Sequence, residues 1–302
     1  MQKQQIRENK MKKGLLALSA ATLFVMTTPV QAKQEICVFD LLGRAGESYK
    51  LIEEWKLAAK NWQGDIELIP YQDEKKAEQD FDAGKCDGVY MTSMRARKYN
   101  KFAGSIDAAG AVTSNAIAQK AISFVLDNRN KHRLTASVGG EKYEVAGIIQ
   151  VGLAYIFVRD KNIDTIEKAK GKKSAYLHYD QAQKTIVESI GLIAVPSDIS
   201  NFVKKFNSGQ VDVIAAPAYA YKPLEISKGM ANGALFNFPA VNITGDLIIK
   251  PGKFPANFGT QSRQWFINKL PSNFATVQRL EAGMDAKKIT LSHEDRIRYQ
   301  KM

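Results

Sequence analysis

Short apolar runs alternate with stretches of helical periodicity in the part of the chain that follows residue 32. The runs ICVFDLLG, DIELIPY and CDGVYM each predict a buried strand. Between the first two, SYKLIEEWKLAAKNW places its large apolar residues on one helical face, and DEKKAEQDF predicts a weaker helix before the third run. This β-α-β-α-β order favours parallel strands joined by right-handed crossovers.

The same sequence pattern, Phe-x-x-Gly-x-x-Asp followed by an apolar run, occurs twice along the chain, in FDAGKCDGVYM from Phe81 and in FNSGQVDVIAA from Phe206. In each copy, Phe-x-x-Gly ends a helix at a residue that can adopt a left-handed conformation, and an apolar strand follows. The helix SDISNFVKKF before the second copy has four apolar residues at helical spacing, with Ser197 or Asp198 as its N-cap. Because the second copy lies in another β-α-β-α-β order, the repeat predicts two similar α/β lobes.

Longer elements connect and close these lobes. The apolar stretch VAGIIQVGLAYIFV is too short to span a bilayer, so we interpret it as a strand crossing between lobes, with hinges near Gly147, Gly152 and Ala240. LFNFPAVNITGDLIIK predicts a return strand, and QSRQWFINKL and NFATVQRLEAGM predict two closing helices. The resulting boundaries are residues 33–147 plus about 241–269 for lobe one, 148–240 for lobe two, and 270–302 for C-terminal helices that pack on the lobes.

The first 32 residues have the pattern of a secretory signal peptide. Lys12 and Lys13 precede an apolar stretch, and VQA ending at Ala32 has the small-x-small form of a cleavage site. We therefore expect cleavage after Ala32 and a periplasmic mature protein. Within it, Cys37 and Cys86 are the only cysteines. Export and an even cysteine count favour a disulfide between them, and a pair of buried free thiols is the alternative.

The charge of the chain indicates which partners are expected. The formal net charge is +12, of which residues 1–32 contribute +4. Lys and Arg are scattered, and neither an aromatic-basic RNA motif nor a helix-turn-helix signature occurs, so nucleic acid is not an expected partner. An anionic solute drawn to a basic cleft, or simple solubility, fits the basicity better.

Motifs for catalysis are also missing from the sequence. The three histidines lack metal-ligand spacing with another His or Cys, and no G-x-S-x-G elbow occurs. We therefore expect a binding protein without catalytic residues, metal or cofactor. Carboxylate pairs need no local motif, so an enzyme stays an alternative.

Candidate binding residues follow the predicted strands, because ligands of parallel sheets bind at the carboxyl ends of strands. Arg95 and Arg97 suit anion capture, with ordinary surface charge as the alternative. Tyr219 and Tyr221 share one face if the segment after Pro217 is extended, where they line a pocket or pack between lobes. Asp87 and Asp212 are expected as turn or capping residues. The full predicted ligand-binding set is Arg95, Arg97, Tyr219, Tyr221, Asp40, Arg44, Tyr179 and Asp180.

Several of these segments together carry a family resemblance. YIFVRDKNIDTIEKAKGKK, VDVIAAPAYAY and LIIKPGKFPANFGTQSRQWFINKLP resemble periplasmic solute-binding proteins of the TRAP transporter type. CVFDLLGRAGE, CDGVYMTSMRAR and FNSGQVDVIAAPAYAYKPLE look like the AdeT-like solute-binding proteins, a group often labelled as RND-type efflux components. The resemblance covers Ile36 to about Pro271. It implies a two-lobed periplasmic-binding-protein fold in which each lobe is a mainly parallel sheet flanked by helices.

The resemblance also implies a function. A small-molecule solute is captured between the lobes and delivered to membrane transporter subunits; the alternative is a non-catalytic accessory protein of an efflux system with no ligand of its own. One position departs from the TRAP pattern. Ala175 stands where an arginine after Lys-Gly-x-Lys generally pairs with a substrate carboxylate. Arg44, Arg95 or Arg97 could take over that role, or the ligand is not a carboxylate.

Overall fold

The structure is a computed structural model and describes residues 33–300. The strands are β1 Gln34–Phe39, β2 Ile66–Tyr71, β3 Gly88–Thr92, β4 Thr135–Val138, β5 Glu141–Val158, β6 Lys173–Leu177, β7 Ile193–Ser197, β8 Val213–Pro217, β9 Ala234–Ile249 and β10 Lys288–Ile289. The α-helices are α1 Glu47–Ala59, α2 Glu74–Asp82, α3 Ser93–Ala96, α4 Lys101–Gly104, α5 Asn115–Leu126, α6 Ile166–Ala169, α7 Gln181–Ser189, α8 Phe202–Asn207, α9 Ala218–Tyr221, α10 Phe258–Ala282 and α11 His293–Gln300.

One mixed sheet runs through this part of the chain in the order β2-β1-β3-β9-β5-β8-β6-β7. At one end β1 pairs in parallel with β2 and β3, and at the other end β6 pairs in parallel with β7 and β8. The long strands β5 and β9 lie between the two parallel groups and pair antiparallel with each other. We call β1–β3 with α1–α5 lobe one, and β6–β8 with α6–α9 lobe two.

Separate apolar cores support the two lobes. Ile36, Trp55 and Phe266 belong to the core around β1–β3, whereas Phe206 and Ile214 belong to a core around β8. Strand β5 contributes its first half to the former and Phe157 to the latter, while Val158 belongs to a third cluster with Val213 and Phe236. The predicted crossing strand, the return strand and the two-lobed fold class are therefore confirmed. The proposed residue boundaries of the lobes stay a prediction.

The repeated Phe-x-x-Gly segments form matching turns. Gly84 and Gly209 have φ values of 77° and 79°, the left-handed region that glycine adopts without strain. Asp87 Oδ2 then accepts a hydrogen bond from Glu35 N (3.0 Å), and Asp212 Oδ2 accepts one from Lys173 N (2.9 Å). Each aspartate thus ties the start of one strand to the start of its parallel neighbour, a contact between strands rather than within a turn.

Two predicted helices differ from the structure. The helix expected from Ser197 begins at Phe202, because Ser197 continues β7 and pairs with Leu177. Neither Ser197 nor Asp198 is its N-cap; that position belongs to Asn201. The two expected closing helices form the single helix α10, which continues through Pro271. The predicted boundary between residues 269 and 270 lies inside this helix.

The predicted disulfide is present. Cys37 on β1 is bonded to Cys86, which precedes β3, with 5.9 Å between their Cα atoms. It closes a loop with a sequence separation of 49 and constrains the unfolded chain by about 4 kcal/mol in the entropy model. Among residues 33–300, no helix is long and apolar enough to cross a membrane. The predicted signal peptide and its cleavage after Ala32 lie outside the described residues.

Candidate functional site

A cavity of about 550 Å³ lies where the two lobes face each other. Four strands end at it, two from each parallel group, because the last residues of β1, β3, β6 and β8 line its wall: Phe39, Thr92, Leu177 and Pro217. The carboxyl ends of parallel strands are where the strand-end argument places a ligand. Volumes of roughly 300–1,000 Å³ are typical of small-molecule sites.

Asp40 and Tyr219 form the first of three pairs that join the lobes across this cavity. The Tyr219 hydroxyl donates to Asp40 Oδ1, and both residues line the cavity. Asp40 also accepts hydrogen bonds from the backbone N–H groups of Leu42 (2.9 Å) and Tyr49 (3.1 Å). Burial raises the pKa of the Asp40 carboxyl above its usual value, and these hydrogen bonds oppose the shift.

Arg97 and Asp180 form the second pair. Arg97 Nη2 lies 3.4 Å from Asp180 Oδ2, and both residues line the cavity. Asp180 is also the N-cap of α7, since its Oδ1 accepts from the N–H groups of Ala182 (3.1 Å) and Gln183 (3.3 Å). The Nε of Arg97 is buried and has no hydrogen-bond partner among the described residues. Arg97 therefore has one buried donor that no described residue satisfies.

Arg95 and Tyr179 form the third pair, which lies beside the cavity rather than in its wall. The Arg95 guanidinium lies 3.8 Å from the centroid of the Tyr179 ring. Its Nε donates to Glu74 Oε2 (3.0 Å) and its Nη1 to Glu78 Oε2 (2.7 Å), while the Tyr179 hydroxyl donates to Glu74 Oε2 (3.2 Å). Arg95 is thus held by two carboxylates of its own lobe, and its Nη2 lies 3.6 Å from Asp198 Oδ2 of lobe two, so it supports the contact between lobes. We call these three pairs the clasp pairs.

Two predicted residues lie away from the cavity. Arg44 sits over the Tyr49 ring, 5.7 Å from its centroid, and Tyr221 donates to Asp285 Oδ1 (2.9 Å) and stacks on Phe157. Tyr219 and Tyr221 do not share a face, because the segment after Pro217 is the helix α9 and not an extended chain. The shared face that was predicted for an extended segment is therefore wrong.

A buried polar network at the cavity was missed by the sequence reasoning. Asp107 accepts hydrogen bonds from the Ser93 hydroxyl, from Asn242 Nδ2 (2.9 Å), and from the N–H (2.9 Å) and hydroxyl (3.0 Å) of Thr244. Gln150 Nε2 extends the network by donating to Asn242 Oδ1 (2.8 Å). Asp107 and Asn242 line the cavity. The available signal was a polar residue at every second position of the buried strand segment NITGD.

Asp246 continues this polar row and is fully buried. Neither of its carboxylate oxygens makes a well-formed hydrogen bond with the described residues. Burial, followed by the negative charge of Asp107, raises the pKa of Asp246 well above its usual range, while Arg97 opposes the shift. Burial likewise raises the pKa of Asp107. The protonated form of Asp246 is therefore favoured far above the pH at which an exposed aspartate ionises.

The composition of the wall limits which chemistry the cavity supports. No three His, Cys, Asp or Glu side chains within residues 33–300 are grouped to hold a metal ion. The clasp carboxylates Asp40 and Asp180 are engaged by backbone N–H groups and by their partners. Ala175, at the position of the expected family arginine, lines the cavity as a half-buried residue. Binding by shape and by a few polar groups fits this wall.

Solved structures with the same fold are TRAP periplasmic solute-binding proteins. The fold is similar to the protein from Haemophilus influenzae with bound L-gulonate (TM-score 0.70, 12% identity, 89% of this chain and 91% of that chain). It is also similar to the protein from Pseudomonas aeruginosa with bound L-malate (TM-score 0.69, 12% identity, 89% and 96%). A third match is the protein from Desulfovibrio salexigens with bound orotic acid (TM-score 0.69, 13% identity, 89% of each chain).

Sequence relatives identify the family. The chain is 36% identical to the "Probable solute-binding protein AdeT1" of Acinetobacter baumannii over 88% of this chain and 86% of that protein. It is 29% identical to the "Probable solute-binding protein AdeT2" of the same organism over 54% of this chain and 68% of that protein. A family model described as "Solute-binding protein AdeT 1/2" matches residues 55–302. The chain belongs to the AdeT 1/2 family of solute-binding proteins.

Proposed function

We propose that this solute-binding protein captures its solute in the cavity between the lobes and delivers it to membrane transporter subunits after export to the periplasm. The observation that carries the proposal is the cavity of about 550 Å³ at the carboxyl ends of four strands, two from each lobe, bridged by the clasp pairs. TRAP receptors with bound small molecules share the fold. This combination favours solute capture over an accessory role without a ligand.

The proposed contacts divide the predicted residues by position. Asp40, Arg97, Asp180 and Tyr219 line the cavity, so we assign them to solute contact or to closing the wall around it. Arg95 and Tyr179 are assigned as positioning residues that hold the lobes together. No catalytic step is assigned, because the wall carboxylates Asp40, Asp107 and Asp180 already serve structural hydrogen bonds.

Closure is proposed to occur by bending of β5 and β9, the two strands that the lobes share. Their pairing shifts register between Val145 and Gly147 and between Gln150 and Gly152. Gly152 has a φ of 143°, which side-chain-bearing residues rarely adopt. Such irregularities bend a strand locally, so lobe boundaries near residues 147 and 240 are the natural hinge positions.

A thermal-shift titration of the purified protein tests the proposal. The panel comprises L-malate, L-gulonate, amino acids, polyamines, and amines and carboxylates with apolar chains. A solute at 100 times its dissociation constant stabilises the folded protein by about 2.7 kcal/mol, which appears as a saturable rise in melting temperature. Arg97→Met, in the wall, should reduce that rise, and Arg44→Met, away from the cavity, should preserve it. A flat response of the folded protein to every member of the panel would contradict solute capture.

A further inference from the structure

The cavity does not stop at the cleft but continues beneath helix α7 of lobe two. Ile186 and Val187 of α7 and Ile190, its C-cap, line the cavity. Opposite them, Val213 and Ala215, which share one face of β8, form the other side. No residue of α7 is buried, although Val187 and Ile190 are partly buried against the core around Val213. The cavity therefore extends between the helix and the sheet along a mainly apolar wall, in which Gln183 is polar.

Small side chains on the sheet leave this space connected to the cleft. Ala154 of β5 and Ala215 of β8 line the cavity, and Ala215 lies on the same face of β8 as Val213. A long side chain at position 215 would project into the cavity between the cleft and the space beneath α7. The alanine at this position therefore leaves the passage open.

The polar groups of the wall lie mainly at the other end of the cavity. Arg97, Lys101 and Asp107 come from lobe one and Asn242 from β9, and Arg97 Nε has no hydrogen-bond partner within residues 33–300. The Arg97 charge is already balanced by Asp180 at 3.4 Å. A small solute with several carboxylate or hydroxyl groups would leave most of them facing apolar side chains, at a cost in hydrogen bonds lost from water.

We propose that the solute is amphipathic, with an apolar chain or ring that fills the space beneath α7 and one polar head group near Arg97, Asp107 and Asn242. This inference rests on the proposed solute capture and names the class of solute. Because affinity then comes chiefly from buried apolar surface, each methylene added to the chain should tighten binding about fourfold until the space is filled.

Two homologous probe series test the inference by isothermal titration calorimetry below their micellar concentrations. Straight-chain primary amines and straight-chain carboxylates from four to twelve carbons are compared with L-malate and L-gulonate. In at least one series, the dissociation constant should fall about fourfold for each added methylene. The longest chain that still fits should bind at least tenfold more tightly than L-malate or L-gulonate.

A matched pair of variants shows whether the chain occupies the proposed space. Ile190→Trp places a large ring beneath α7 and should abolish the dependence on chain length. Ile193→Trp, on the exposed side of β7 and outside the cavity wall, should preserve it. Ala215→Leu, which narrows the passage, gives a second blocking variant if Ile190→Trp fails to fold. Melting temperatures without solute identify folded variants.

The outcomes separate this inference from the proposed function. Saturable binding of L-malate or L-gulonate with no dependence on chain length would overturn the amphipathic solute and leave solute capture standing. A dependence on chain length that both blocking variants retain would also overturn it, because the chain would then lie elsewhere. Absence of saturable binding by every probe, including polar acids, amino acids and polyamines, would overturn both proposals.

Discussion

At the scale of single residues, Arg95 shows how a predicted ligand contact can be a structural one. It is 7% exposed and pairs with Glu74, whose carboxylate is buried and also accepts from the Thr92 N–H (2.8 Å) and hydroxyl (2.6 Å). Arg95→Ala would leave this carboxylate without its cation. We expect a loss of about 3 kcal/mol in the free energy of unfolding, measured by urea denaturation.

Arg44→Ala is the matched control, since Arg44 is exposed and is expected to change stability by less than about 0.5 kcal/mol. If Arg95→Ala kept wild-type stability and lost only solute affinity, the positioning role assigned to Arg95 would be wrong. The sequence could not make this distinction, because Glu74 and Glu78 reach Arg95 only after α2 and α3 have packed together.

The buried carboxyl of Asp246 gives a prediction about pH. Its pKa is raised in the folded protein, so the folded state binds the proton more tightly than the unfolded state does. This contribution to stability is complete below the unfolded pKa of about 4 and is lost as pH rises towards the folded pKa. Asp246→Asn should therefore raise the free energy of unfolding at pH 7 relative to the wild type, and the gain should shrink towards pH 4.

Urea denaturation at pH 4, 5, 6 and 7 measures this gain. Asp65→Asn, which alters an exposed carboxylate before β2, controls for the loss of one acidic group. A gain from Asp246→Asn that stays constant across this range would refute the raised pKa as its cause.

At the scale of elements, local periodicity predicted most helices and strands. The predictions were wrong where contacts between distant segments determine the bounds of an element. The structure of the crossing strand and of the Phe-x-x-Gly turns is determined by neighbouring residues, so the local sequence pattern predicted both. Helix α10 continues through Pro271, although proline removes one backbone N–H. Its apolar residues Phe266, Leu270 and Phe274 all belong to the lobe-one core, and this packing favours one helix over two. No local pattern contains that information.

Asn273 is the polar contact through which α10 holds β5. Its Oδ1 accepts from Gln150 N (2.8 Å) and its Nδ2 donates to Gln150 O (3.0 Å), next to the register shift between Gln150 and Gly152. Asn273→Ala leaves both backbone groups unpaired, so we expect a loss of about 2 kcal/mol in the free energy of unfolding. Asn268→Ala, which removes one exposed bond to Gln264 (3.1 Å), should cost less than about 0.5 kcal/mol. Equal effects in urea denaturation would show that this link does not stabilise β5.

At the scale of the whole molecule, the candidate site was only partly predictable from the sequence. Strand ends are local features, and they located Asp40, Arg97, Asp180 and Tyr219 in the wall. The network around Asp107 joins a segment before α5 to β5 and β9, and the space beneath α7 depends on how a helix lies on a sheet. Both arise from tertiary packing, for which one sequence carries no direct signal.

The clasp pairs also predict how the two lobes respond to a change outside the cavity wall. Tyr179→Phe removes the hydrogen bond from lobe two to Glu74 (3.2 Å) and leaves the cavity wall unchanged. Losing about 0.5–1.5 kcal/mol from the closed state should shift the solute-free protein towards open forms, which small-angle X-ray scattering would record as a larger radius of gyration. Under the proposed closure, solute binds the closed form, so affinity should weaken by the same factor for every solute, by at most about 10-fold.

Tyr221→Phe loses a bond to Asp285 that does not join the lobes, so it should leave both quantities unchanged. A Tyr179→Phe protein that altered the ranking of solutes would place Tyr179 in direct contact with the solute instead.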